Sequence, residues 1–276
     1  MTDNAWNHSR SAGSADDIDF EIKGQELQFV EIELDPGESA VAEAGAMVWK
    51  DAGVGMTTVF GDGSGDGGGG FMGKLLGAGK RLVTGESLFT TVFTHNGSGK
   101  AKVAFSAPVP GAILPIKLSD VGGTLICQKD SFLAAAKGVA IGIQFQRKVM
   151  TGLFGGEGFI MQKLDGDGWV FVQMGGTIVE RTLSAGEEIH VDTGCLAAYT
   201  PSVDFDLVTA GGVKSMIFGG EGVFFARLRG PGKVWIQSLP FSRLAGRMLA
   251  AAGSRGGQNR GEGSALGGLG DLISGN

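Results

Sequence analysis

Three glutamates occupy the same place in a recurring phrase: Glu86 in TGESLF, Glu157 in FGGEGF and Glu221 in FGGEGV. If the units that carry them surround an axis, their carboxylates form a ring that binds cations or basic partners. The competing reading is structural. A glutamate in a glycine turn accepts backbone N–H bonds and fixes the strand entry, and a residue present in every repeat serves the repeat.

Other candidates point to chemistry that their surroundings do not complete. Leu34 to Glu38 reads LDPGE, a cupin-like phrase, but cupin enzymes gather imidazoles and a carboxylate around one metal. The three histidines, His8, His95 and His190, fall in a polar leader, at a hairpin tip and alone on a strand. They do not converge, so no metal site and no cofactor are expected. Cys127 and Cys195 would need a base or a positive environment to act as nucleophiles. Only Lys129 flanks them, and both read as small buried hydrophobes in a reducing cytoplasm, with no catalytic residue assigned. Gly63, Gly65 and Gly68 satisfy G-x-G-x-x-G inside a glycine run with no βαβ unit around it. Gly79-Lys80 continues into Arg81 rather than Ser or Thr, so it is not a P-loop. Asp62 and Asp66 in such a loop make a poor calcium cage, and the run reads as a flexible linker.

Two segments suit a surface. Phe71 to Val83, FMGKLLGAGKRLV, mixes Phe71, Leu75 and Leu76 with Lys74, Lys80 and Arg81. Basic and apolar residues together fit an anionic membrane surface, whereas a loop tucked over the open end of its unit needs no partner. The same two readings apply to Phe241, Leu244, Ala245, Met248 and Leu249, which share one helical face beside Arg243 and Arg247.

The elements that position these residues are set by an internal repeat. Phe154 to Gln173 and Phe218 to Gln237 align without gaps and are identical at ten of twenty positions. Upstream, Val30 to Trp49 aligns with Val179 to Ala198, matching Leu34 with Leu183, Gly37 with Gly186 and Glu38 with Glu187. A fainter middle copy runs from Ile116 to Ala135, with Gly123 in the glycine position. Val30, Ile32 and Leu34 alternate with Glu31 and Glu33, the period of a strand with one buried face. Asn96-Gly97-Ser98-Gly99, Asp165-Gly166-Asp167-Gly168 and Gly230-Pro231-Gly232 are hairpin tips. Glycine, 51 of 276 residues, is well above its usual share of about 7% and fits many tight turns. The fold class is all-β.

The expected organisation is a disordered leader at 1–19, a unit at 20–108 with a Gly-rich insertion at 53–84, and further units at 109–175 and 176–240. A short C-terminal helix comes next at 241–252, then a disordered Gly-rich tail at 253–276. The formal net charge of −6 argues against broad nucleic-acid binding. No run approaches the roughly 18 apolar residues of a membrane span, and the leader lacks a signal peptide's apolar core.

Taken together, GESLF at 85–89, Phe132-Leu133-Ala134, FGGEGF at 154–159 and QSLPF at 237–241 resemble the altered-inheritance-of-mitochondria 24-type family over roughly residues 20–250. The resemblance implies three tandem short double-stranded β-helix units, like the subunit of the tryptophan RNA-binding attenuation protein. It also implies homotrimers in which nine units close a ring, and membrane organisation in eukaryotic relatives. It supplies no catalytic residues. The expected partner is therefore the chain itself as a homotrimer, with an anionic membrane surface as the second. The expected setting is cytoplasmic and peripheral at the inner membrane. DNA is not expected, nor is RNA: Lys163 and Arg227 match between copies, but the first copy has Val92 there. An RNA- or small-ligand-binding ring and a cupin-like enzyme are the alternatives to a non-enzymatic scaffold.

Overall fold

The structure is a computed structural model that describes residues 14–60, 89–147, 159–209 and 224–253. After an opening strand β1 (Asp19–Lys23), the strands fall into three sets of six. The first set is β2 (Phe29–Leu34), β3 (Ser39–Ala42), β4 (Met47–Lys50), β5 (Val54–Phe60), β6 (Phe89–His95) and β7 (Ala101–Ser106). The second is β8 (Gly111–Lys117), β9 (Thr124–Gln128), β10 (Phe132–Ala136), β11 (Ala140–Arg147), β12 (Phe159–Asp165) and β13 (Trp169–Gly175). The third is β14 (Ile178–Leu183), β15 (Glu188–Asp192), β16 (Leu196–Tyr199), β17 (Asp204–Thr209), β18 (Phe224–Arg229) and β19 (Gly232–Gln237), and helix α1 (Phe241–Gly253) ends the described chain. Among the described residues the protein is all-β apart from this short helix.

Every set pairs its strands by one rule, always antiparallel. The sixth strand lies between the first and third, and the fifth lies between the second and fourth. Sets then join edge to edge. The second strand of one set pairs with the third strand of the next, as β3 with β10 and β9 with β16. Among the described residues the result is four sheets, ordered β1-β2-β7-β4, β5-β6-β3-β10-β13-β8, β11-β12-β9-β16-β19-β14 and β15-β18-β17. A register shift recurs at one place on every third strand, between Met47 and Trp49, Phe132 and Ala134, and Leu196 and Ala198. An extra residue there bends the strand and re-aims the side chains beyond it.

The period-two pattern explains how three cores stack between four sheets. The first core joins Val30, Ile32 and Phe105 of the first sheet to Ala42, Phe93, Ala134 and Phe171 of the second. The alternate residues Val41, Val92, Ala135 and Val170 look the other way, into a second core with Cys127, Leu164 and Trp235. A third core gathers Ile126, Phe159, Met161, Val191, Leu207 and Leu228. Inner strands of the middle sheets, such as β10 and β13, are therefore buried on both faces, whereas β2 is apolar on one face only. Phe171 is fully buried, and truncating such a phenylalanine to alanine costs about 3–5 kcal/mol.

Three sequence expectations need correction. The leader does not stay free up to residue 19: Ile18 is buried, Asp16 accepts from Ser39 N–H at 2.8 Å, and Ala15 N–H donates to Asp167 at 2.8 Å. One apolar residue and one capping carboxylate suffice to pin this stretch across two sets. The insertion expected from residue 53 begins later, because Val54–Phe60 is β5, the fourth strand of its set. Residues 61–84 lie outside the described residues, as do 254–276 of the expected tail.

The middle copy also sits out of step with the gapless match. Gly122, not Gly123, stands with Gly37 and Gly186: Gly166 N–H donates to Gly123 O at 3.0 Å, as His95 N–H does to Glu38 O at 3.0 Å and Gly230 N–H to Glu187 O at 2.9 Å. Leu118 N–H bonds to Gly168 O at 3.0 Å, which places Leu118 with Leu34 and Leu183. Three residues rather than two then separate leucine from glycine, and the extra one is taken up in the 3-10 turn Leu118–Val121.

Candidate functional site

The signature carboxylates Glu86, Glu157 and Glu221 lie outside the described residues, and so do Phe71, Lys74, Leu75, Leu76, Lys80 and Arg81. Of the residues singled out for a surface role, Arg243 and Arg247 are described. The Arg243 guanidinium lies 3.3 Å from Asp192 and ties α1 to the end of β15, while Arg247 is exposed. On α1, Phe241, Met248 and Leu249 are 56%, 62% and 73% exposed, whereas Leu244 and Ala245 are half-buried. The apolar face foreseen on this helix is thus divided between contact with the body and open surface.

Two other pairs of repeated carboxylates are described, and each is committed to the frame. In the LDPGE phrase, Glu38 accepts from Asp35 N–H at 2.9 Å, and Glu187 accepts from Ser184 N–H at 2.9 Å. Each side chain reaches back three residues and braces its own glycine turn. Glu31 meets Lys102 at 2.7 Å and Lys23 at 3.1 Å; its third-set counterpart Glu180 meets Lys233 at 2.8 Å and accepts from Trp235 Nε1 at 2.9 Å. The Lys102 bond holds the Glu31 carboxyl below its ordinary range against the opposing effect of burial, and Lys233 does the same for Glu180. In the second set Pro115 and Trp169 take the places of acid and lysine, and the Lys117 ammonium lies 5.7 Å from the Trp169 ring centroid.

The described thiols and imidazoles, Cys127, Cys195, His95 and His190, are dispersed. Burial pushes the Cys127 thiol up to about 12. Burial also raises Cys195, with Asp192 adding to the rise and Arg243 opposing it. His95 is buried in the β6–β7 turn, where Gly97 N–H donates to Nδ1 at 3.3 Å and Nε2 lies 2.9 Å from Gly99 O. These partners assign the proton to Nε2. His190 is exposed, stacks on Phe225 and lies 3.3 Å from Glu188. Among the described residues no three His, Cys, Asp or Glu side chains are placed to hold a metal ion.

Tandem units with self-complementary ends are expected to expose strand edges at the first and last units, and the structure identifies the strands that carry them. Inside the chain, each second strand meets a third strand. At the ends of the series, the third strand β4 pairs only with β7, and the second strand β15 pairs only with β18, among the described residues. Their side chains carry the same message. Val48 is 54% exposed, while its counterparts Leu133 and Ala197 are 2% and 0% exposed. His190 is exposed where Val41 and Ile126 are buried. The chain therefore carries the two halves of a joint that it makes twice internally. No local motif could have signalled this, because β4 and β15 become edges only through the pairing of distant strands.

Comparison with known proteins gives a consistent picture. The family model described as Mitochondrial biogenesis AIM24 matches residues 20–239. An uncharacterized protein of Streptococcus pyogenes serotype M6 is 31% identical over 229 residues, covering 82% of this chain and 87% of its own. The crystal structure of protein SPYM3_0169 from Streptococcus pyogenes superposes with a TM-score of 0.67 at 26% identity, covering 85% of this chain and 99% of that one.

Proposed function

The chain belongs to the mitochondrial biogenesis AIM24 family, and from that premise we propose that it is a non-enzymatic scaffold that closes into a ring as a homotrimer. The observation that carries this reading is the pair of complementary open edges. Exposed strand edges template pairing with another chain, and closure by identical copies pairs every β4 with a β15. A heterologous joint of this kind makes rings when the rotation closes. The number three rests on the family resemblance. Light scattering at micromolar concentration tests the reading: a particle of three chain masses supports it, and a dispersed monomer overturns it.

A second reading, action at a membrane surface, is favoured by the open apolar residues Phe241, Met248 and Leu249 beside Arg247 on α1. A helix of this kind lies in the interface plane, and no helix among the described residues is long and apolar enough to cross a membrane. One such helix binds marginally, but three on one particle gain roughly 10²–10⁴ in avidity if all engage together.

An RNA-binding ring is less well supported. Lys163 and Arg227, its repeated basic residues, sit 2.9 Å from Asp165 and 3.2 Å from Asp206. A cupin-like enzyme is disfavoured because Glu38 and Glu187 are engaged with their own turns.

A further inference from the structure

Each internal joint is plugged by one aromatic residue standing directly across from one alanine. In the first joint Phe171 of β13 faces Ala134 of β10; in the second Trp235 of β19 faces Ala198 of β16. Both aromatics are buried, at 0% and 2% exposure, in the core of the preceding set. The sixth strand supplies the ring and the third strand supplies the space. In the first set the same two positions are also an aromatic and an alanine, but exchanged: Trp49 of the third strand β4 faces Ala104 of the sixth strand β7. Close-packed interiors tolerate such an exchange because total volume is kept. Trp49, however, has no preceding set in its own chain and remains half-buried.

We infer that Trp49 is the aromatic plug of the joint between copies, seated against Val191 in the third core of a second copy. This rests on the ring reading above and adds its register. The internal joints place Ala134 opposite Ala42 and Ala198 opposite Cys127. Carrying that register to the chain ends sets Trp49 opposite Val191 and Lys50 opposite His190. Val191 already points into the third core, as Ala42 and Cys127 point into theirs. The opposite face of this joint differs from its models. Internally it pairs Ala135 with Val41 and Tyr199 with Ile126, whereas between copies it brings Lys50 to His190. An apolar anchor on one face with polar residues on the other is the anatomy of an interface whose halves must also stay soluble apart. Buried tryptophans are common energetic centres of such interfaces.

The test is the oligomeric state of four proteins, with far-UV circular dichroism as the check on folding. Wild type assembles; Trp49→Ala weakens assembly by roughly 30-fold or more. Trp49→Phe, which copies the ring used in the first joint, retains it. Trp49→Ala with Ala104→Trp, which copies the third set, restores it. Cysteine pairing checks the register independently of Trp49: Lys50→Cys with His190→Cys forms a disulfide between chains on mild oxidation, and Lys50→Cys with Glu188→Cys does not. A monomeric wild type overturns both the ring and the plug. An assembled wild type whose Trp49→Ala variant assembles equally well overturns the plug alone, as does a double variant no better than Trp49→Ala. If Trp49→Ala fails to fold, the disulfide pattern decides.

Discussion

The Lys102 ammonium meets the Glu31 carboxylate at 2.7 Å, diagonally across β2 and β7, on the face of the first sheet that looks away from its core. Glu180 and Lys233 repeat the relationship at 2.8 Å in the third set. Diagonal pairs on one face are within reach of long side chains, so the two contacts tie the first and sixth strands of their sets together.

This pair gives the fold a pH dependence of known sign. The folded Glu31 carboxyl lies below its ordinary value, chiefly through the Lys102 bond, so folding favours its ionised form. The stabilisation is complete above the ordinary glutamate pKa of about 4.3 and is lost as pH falls through the lower folded value. Glu31→Gln is expected to flatten the acid limb of the stability curve, as measured by urea denaturation between pH 3 and 7. An acid limb of unchanged slope would show that Glu31 contributes nothing.

Both cysteines should behave as inert core residues. With the Cys127 thiol pushed up to about 12 and Cys195 also raised, the native chain holds little thiolate at pH 8. A chromogenic disulfide reagent is expected to leave both unreacted on the minute scale and to titrate both within seconds in denaturant. Rapid release of one equivalent from the native protein would contradict this and mark Cys195 as reactive.

The contact between the end of β13 and the segment after β19 leaves no room for a side chain at Gly175. A Cβ there would overlap the Leu239 carbonyl oxygen, while Gly175 N–H already donates to Gln237 Oε1 at 2.9 Å. Gly175→Ala is expected to cost about 1–3 kcal/mol, because backbone must move to admit the methyl group. A change within about 0.5 kcal/mol, the ordinary scatter of surface substitutions, would mean this contact is looser than described.

The membrane reading makes a separable prediction. Flotation with anionic liposomes at low salt should carry the wild-type protein upward, and 0.5 M salt should reduce the bound fraction. Met248→Glu with Leu249→Glu is expected to lower binding several-fold without changing the oligomeric state. Lys80→Glu with Arg81→Glu tests the basic segment in the same assay. A wild-type protein that stays wholly at the bottom of the gradient would end this reading and leave the ring untouched.

The sequence made the fold class legible because the relevant signals are local. Val30, Ile32 and Leu34 alternate with acids, and glycine pairs mark hairpin tips such as Gly97 to Gly99 and Gly230 to Gly232. Such spacing reports how the backbone turns and which side of one strand is buried. The amphipathic run from Phe241 was legible for the same reason, to within one residue of the helix end.

What the sequence could not determine is which strands meet. Alternation in β3 or β10 is satisfied by any apolar neighbour, and only their pairing shows that one set's second strand seeks the next set's third. The one-residue insertion before Gly122 escaped a gapless comparison for a related reason: it is absorbed in a turn, and only the hydrogen-bond register on either side reveals it. Ile18 and Asp16 looked like part of a polar leader because their partners, the core of the first set and Ser39, are far from their own neighbourhood in chain or pattern. Trp49 and Ala104 lie more than fifty residues apart, and nothing in either segment suggests an exchange with Phe171 and Ala134. Local patterns fix backbone conformation through short-range sterics and burial. Strand partnership and volume balance are sums over distant residues, and they exist only once the chain has folded.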